Sequence, residues 1–168
     1  STDLVNRLRA LYTPTGKVLV ILVINRPDND PDECTNAALR QAIKALPQHH
    51  ASCGNACLFQ LSASADIYLL DLERTHGPTP AAQGVGLARK WGCDLALYWM
   101  AKGAISGQWI YNSEADAILP GEYFCRLENC RAASAVFPFL HLPGGYNACD
   151  EATALYELRL HHYVLGLN

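Results

Sequence analysis

No stretch of this 168-residue sequence is apolar for long enough to span a membrane. The longest apolar run, VLVILVI at Val18–Ile24, has the length of a buried strand. Basic charge is also short. Lys and Arg number 13 against 16 Asp and Glu, a net charge of −3, which argues against the basic face that general nucleic-acid binding needs. Repeats and low-complexity tracts are missing, so a solenoid or a disordered tail is not indicated. The first residues carry no signal-peptide pattern, which points to a cytoplasmic setting, although a processed chain would look the same. What remains is a chain that is 50% hydrophobic and 17% charged, long enough for one domain with its own core.

Cysteine is not scarce. There are seven, an odd number, so they cannot all pair within one chain, and free buried thiols are the expectation. HHASCGNAC crowds His49, His50, Cys53 and Cys57, and Cys125 and Cys130 lie close in sequence. The spacings are CxxxC and CxxxxC rather than the CxxC knuckle of structural zinc sites. A zinc-binding interaction module built on the first group is therefore an alternative reading with little support from spacing.

Strand and helix patterns alternate. Val5–Tyr12 reads as a short lead-in helix, Lys17–Asn25 as a central strand and Cys34–Leu46 as a helix. His49–Asn55 reads as a loop, CLFQL as an extended piece, and Ala65–Leu72 as a second buried strand. The loop ERTHGPTP leads to a helix over Ala81–Ala101. QWIYN and then AVFPFLHL (Ala135–Leu142) have strand character, and Asp150–Leu167 is a helix with an acidic first turn, as the helix dipole favours. The expected fold is α/β, a single domain over residues 1–168 with a mostly parallel sheet flanked by helices. In such sheets ligands bind beyond the carboxyl ends of the strands.

Two segments carry chemistry. In WIYNSEADAILPGEYF, Glu114 and Asp116 flank one alanine just past the expected strand QWIYN. Asn, Ser and Asp favour turns, so a plain turn is one explanation. A site for a hard divalent ion is the other, because Mg²⁺ is typically held by one or two carboxylates together with phosphate oxygens and water. In GVGLARKWGCDLAL (Gly84–Leu97), the glycines lie too far past the preceding strand for a dinucleotide fingerprint, and Arg89 occupies its third glycine position. GxxxxGK[ST] is absent as well. The segment is a glycine-rich helix start that brings Arg89 and Lys90 together, both suited to phosphate; a solvated basic pair is the plainer alternative.

In order and spacing, GVGLARKWGCDLALYWMAKGAISGQWIYNSEADAILPGEYF resembles the donor half of family 2-like GT-A-fold glycosyltransferases. The same series runs through VLVILVINRPDN, IYLLDLE, a G-x-ARxxG helix and a strand entering a DxD-like motif. The resemblance implies a nucleotide-sugar-binding domain, with a UDP-sugar favoured. Asn25 and Arg26, with Asp28 beside them, would lie near the nucleoside, and Asp71 could face the base. Arg89 would approach the pyrophosphate or the base, with Asp94 one turn further along its helix. Asp116 matches the acid that ligates Mn²⁺ or Mg²⁺, and Glu114 replaces the motif's first Asp.

That replacement moves a carboxylate outward by one methylene. Family members also continue into acceptor-binding elements that supply the catalytic base, and no residue here is assigned that role. Glu157 and His161 share a helical face, with His162 beside them, but such a pair is commonly a surface or packing feature. Leu155, Tyr156, Leu158, Leu160, Tyr163, Val164, Leu165 and Leu167 spread apolar surface around the last helix, which calls for cover from missing sequence, a partner or a homodimer. The expectation is a donor-binding portion lacking the acceptor half, or a naturally short relative. A non-catalytic nucleotide-binding or protein-interaction domain is the main alternative. A nucleotidyltransferase fits less well, since VINRPDND has no glycine-rich phosphate loop.

Overall fold

An unbroken β-branched run has no polar face to turn toward water, and VLVILVI accordingly forms a strand with helices on both sides, β1 (Val18–Ile24). The computed structural model describes residues 2–11, 16–50, 57–127, 129–145 and 147–166. The chain divides into two compact units, 1–130 and 131–168.

In the first unit, α1 (Thr2–Arg9) precedes β1, and α2 (Ala37–Lys44), β2 (Gln48–His50), β3 (Cys57–Gln60) and β4 (Ala65–Asp71) follow. A short α3 (Leu72–His76) and a long α4 (Gly84–Ala101) come next. The sheet order is β1-β4-β3-β2. β1 and β4 run parallel, from Val18 opposite Ala65 to Ile24 opposite Asp71. β3 is antiparallel to both β4 and β2. The fold is α/β, but the sheet is mixed rather than mostly parallel. The cause is local: the few residues between Gln60 and Ala65 allow only a hairpin return, whereas a parallel partner needs a long crossover.

Alternation along the strands sorts the two faces. Ala65 and Ile67 of β4 and Phe59 of β3 pack with Val5 of α1 and Ile43 and Leu46 around α2, joined by Val18, Val20 and Leu22. α4 covers the opposite face. Trp99 meets the Tyr68 ring edge-on at 4.9 Å, and Gly92 lets the helix close on β1, since a Cβ there would lie 3.2 Å from Val23 Cγ2. α4 ends at Gly103, whose φ of 72° only glycine adopts without strain.

Several local expectations are corrected. His49 and His50 lie in β2 rather than a loop, and ERTH forms α3, capped by the Asp71 carboxylate accepting from the Arg74 amide at 3.3 Å. QWIYN is not a strand. Its tyrosine packs into an aromatic cluster, where Tyr111 meets Tyr123 at 5.2 Å and Phe124 at 5.3 Å. The Asn112 carbonyl, a ladder group in a strand, accepts from Tyr123 Oη at 3.2 Å. The thiols of Cys34, Cys57 and Cys149 are exposed rather than buried, since they sit in a turn, at an outer hairpin and on the first turn of a helix. Cys53 lies outside the described residues.

Among the described residues the second unit has one regular element, α5 (Asn147–Leu165). AVFPFLHL is irregular and largely exposed, not a strand: Pro138 interrupts it, and no neighbouring strand is there to pair with it among the described residues. The Asp150 carboxylate anchors the start of α5 by accepting from the amides of Gly144 at 2.7 Å and Gly145 at 3.1 Å. Leu155, Tyr156, Leu158, Tyr163 and Leu165 are exposed, in keeping with a helix apolar around most of its circumference. Among the described residues no helix is long and apolar enough to cross a membrane.

Candidate functional site

β1 and β4 end side by side at Ile24 and Asp71, and the residues beyond them form the carboxyl edge of the parallel pair. Two arginines are buried there, Arg26 at 8% and Arg40 at 5% exposure. Charges so placed require partners, since desolvation alone would cost several kcal/mol per ion. Arg26 Nε donates to Glu73 Oε1 at 2.8 Å. Arg40 donates to Asp71 through Nε at 2.7 Å and Nη2 at 3.1 Å, and its Nη2 also reaches Glu73. Asn36 Nδ2 completes the set, donating to Glu73 Oε2 at 3.3 Å and to the Asn25 carbonyl at 3.1 Å.

Burial alone would raise the Glu73 pKa, but hydrogen bonds from Arg40, Arg26 and Asn36 outweigh it and hold the carboxyl at about 2. The bond to Asp71 raises the Arg40 pKa against its burial, with Glu73 adding to the effect. This network fixes the loops that leave the sheet. Thr79 donates its amide to the Arg26 carbonyl at 2.8 Å and accepts from the Asp28 amide at 2.8 Å. The Asp28 carboxylate takes the Ala81 amide at 3.0 Å, just ahead of α4. Glu73, Arg40, Asn36 and Thr79 were not singled out by sequence. Glu73 stood in a segment read as loop, and a pairing across 33 residues leaves no local pattern.

The acidic segment lies elsewhere on the same unit. Residues Glu114–Ala117 form a turn closed by the Ala117 amide on the Glu114 carbonyl at 3.2 Å. Glu114 meets the Arg89 guanidinium on α4, a pair 25 residues apart with both side chains about half exposed. Asp94 pairs with Lys90 one turn earlier on the same helix. Asp116 is exposed. Beneath the turn, Arg7 of α1 donates to the carbonyls of Ala115 at 2.8 Å, Asp116 at 3.2 Å and Ala117 at 3.0 Å. The buried Tyr123 supports the approach to the turn through its bond to the Asn112 carbonyl.

A cleft of about 1280 Å³ runs beside β1, between α1, α4 and the segment 104–124. Asn25, Arg89 and Glu114 line it, as does Arg7; Arg26, Asp71, Asp94 and Asp116 do not. The structure thus brings Arg89 and Glu114 together beside Asp116. Arg26 and Asp71 are engaged in the buried ion network. Asn25 lies between the two groups, its Nδ2 reaching Thr79 Oγ1 at 3.5 Å.

Among the described residues no three His, Cys, Asp or Glu side chains are grouped as metal ligands. Glu114 and Asp116 fit a hard divalent ion only with phosphate oxygens completing its shell, the usual arrangement for Mg²⁺. His49 Nε2 is 3.2 Å from Asp66 Oδ2, and the Cys57 thiol faces Gln48 Oε1 at 3.8 Å. Comparison with known proteins found no matching family model, curated protein or solved structure.

Proposed function

We propose that this chain binds the diphosphate of a nucleotide sugar together with Mn²⁺ or Mg²⁺, as the donor-binding portion of a GT-A-like glycosyltransferase acting on an acceptor hydroxyl. One observation carries the reading: Arg89 on the glycine-rich helix and Glu114 of the acidic turn meet at the rim of a cleft, with Asp116 two residues on. An arginine fork beside two carboxylates offers a donor set for phosphate oxygens and an acceptor set for the accompanying ion.

In this reading Arg89 leaves Glu114 and donates to the diphosphate, an exchange that costs little because exposed ion pairs contribute at most about 1 kcal/mol. Asp116 holds the divalent ion, and the freed Glu114 carboxylate joins its shell or accepts from the ribose. The ion, when bound, neutralises charge on the departing diphosphate. Asn25 faces the cleft from the end of β1, where the nucleoside would lie.

A non-catalytic nucleotide-binding domain is the second reading. It is favoured by the engagement of Glu157, whose carboxylate accepts from the amide and, at 2.7 Å, from Nδ1 of His141. These bonds, with His141 and His161 nearby, hold its pKa below the ordinary value.

Calorimetric titration of UDP and GDP, with Mn²⁺ and then with EDTA, tests the shared core of both readings. UDP is expected to bind in Mn²⁺ and to lose most of its affinity in EDTA. Absence of binding for either nucleotide under both conditions would leave the acidic segment as a plain turn.

A further inference from the structure

We infer that Arg7 is the positioning residue of the acidic turn, so that the lead-in helix α1 is part of the ligand site. The role assigned to the turn rests on the proposed diphosphate and metal binding; the anchoring itself does not. Three successive backbone carbonyls, those of Ala115, Asp116 and Ala117, converge on one guanidinium more than 100 residues away in sequence. A planar fork with fixed donor directions can hold three such acceptors in one geometry, whereas an ammonium is a point charge with no preferred plane. Asp3 Oδ2, one turn earlier on α1, lies 2.9 Å from Arg7 Nε as an ion-pair partner, without accepting a hydrogen bond from it.

Two consequences follow for the turn. Its carbonyls are engaged from below, which leaves the carboxylates of Glu114 and Asp116 as its strong anionic acceptors for a ligand. The backbone that carries those carboxylates is also held by a contact from another element, in addition to the turn's own closing bond of 3.2 Å. Partners that orient metal ligands typically affect affinity about 10–100-fold.

Arg7→Lys separates fork from charge, since it keeps the positive charge and the helix. Mn²⁺-dependent UDP affinity is expected to fall about 10-fold in Arg7→Lys, and at least as far in Arg7→Gln. The electron paramagnetic resonance spectrum of bound Mn²⁺ should change, and the melting temperature should stay near that of the unsubstituted protein. In parallel, amide exchange at Ala117, followed by NMR without ligand, should accelerate in both variants. Unchanged exchange would overturn the anchoring whatever the protein binds. Faster exchange with unchanged Mn²⁺–UDP affinity would overturn the positioning role. If the unsubstituted protein binds no Mn²⁺–UDP, the diphosphate reading and the role built on it both fall, while the exchange result still decides the anchoring.

Discussion

Replacing Glu73 by Gln is expected to destabilise the protein by about 3 kcal/mol at pH 7, the scale for breaking a buried ion pair from one side. Among the described residues Glu73 is the carboxylate paired with Arg26, and it shares Arg40 with Asp71. The glutamine is isosteric but neutral, so it leaves two buried guanidiniums facing one carboxylate. Linkage fixes the pH dependence. The folded-state pKa of about 2 lies below the ordinary 4.5. The stability Glu73 contributes is therefore fully present above about pH 4.5 and is lost as the pH falls toward 2. Urea unfolding of both proteins across that range should give curves well separated at pH 7 that converge toward pH 2. A difference below about 0.5 kcal/mol at pH 7 would show that the network is not a stabilising element.

Arg89→Met should weaken Mn²⁺-dependent UDP binding by about 10–100-fold, the equivalent of one hydrogen bond to a charged group. Methionine keeps the unbranched stem and the helix propensity of this exposed position, so α4 should be undisturbed. The substitution also releases Glu114. If Arg89 served merely to neutralise that carboxylate, Mn²⁺ binding would improve and nucleotide affinity would hold. If it serves the diphosphate, nucleotide affinity falls even though the turn has gained a free carboxylate. Titration of UDP at fixed Mn²⁺ separates the two, and undiminished affinity would remove Arg89 from the site.

Elements with a strong local signal were legible in the sequence. VLVILVI became β1, ADIYLLD became β4, and the glycine-rich segment became α4 with Gly92 against Val23. The alternation of helix and strand correctly implied an α/β fold, but strand direction depended on how the chain returned between β3 and β4. QWIYN has the composition of a strand, and composition cannot register that Tyr111 finds two aromatic rings or that Asn112 gives its carbonyl to Tyr123. The site was legible in the same uneven way. Arg89 and Glu114 were each singled out, and the fold brings them together. Asp71 was expected at the end of the second strand and does end β4, yet the pairing of Arg26 with Glu73 and of Asp71 with Arg40 is tertiary and leaves no trace in local spacing. Arg7 was read only as part of a lead-in helix, and nothing in its neighbourhood in sequence points to a turn so far along the chain.

The central claim is that Glu114 and Asp116 flank an alanine in order to hold an ion and its diphosphate. The most direct measurement is UDP binding by Asp116→Asn in Mn²⁺ and in EDTA, beside the unsubstituted protein. The substitution keeps the turn's shape and removes one exposed charge. The account predicts that binding in Mn²⁺ falls to the level seen in EDTA and that added Mn²⁺ no longer changes it. Mn²⁺-dependent binding that persists undiminished in Asp116→Asn would contradict the account and return the two acids to an ordinary solvent-facing turn.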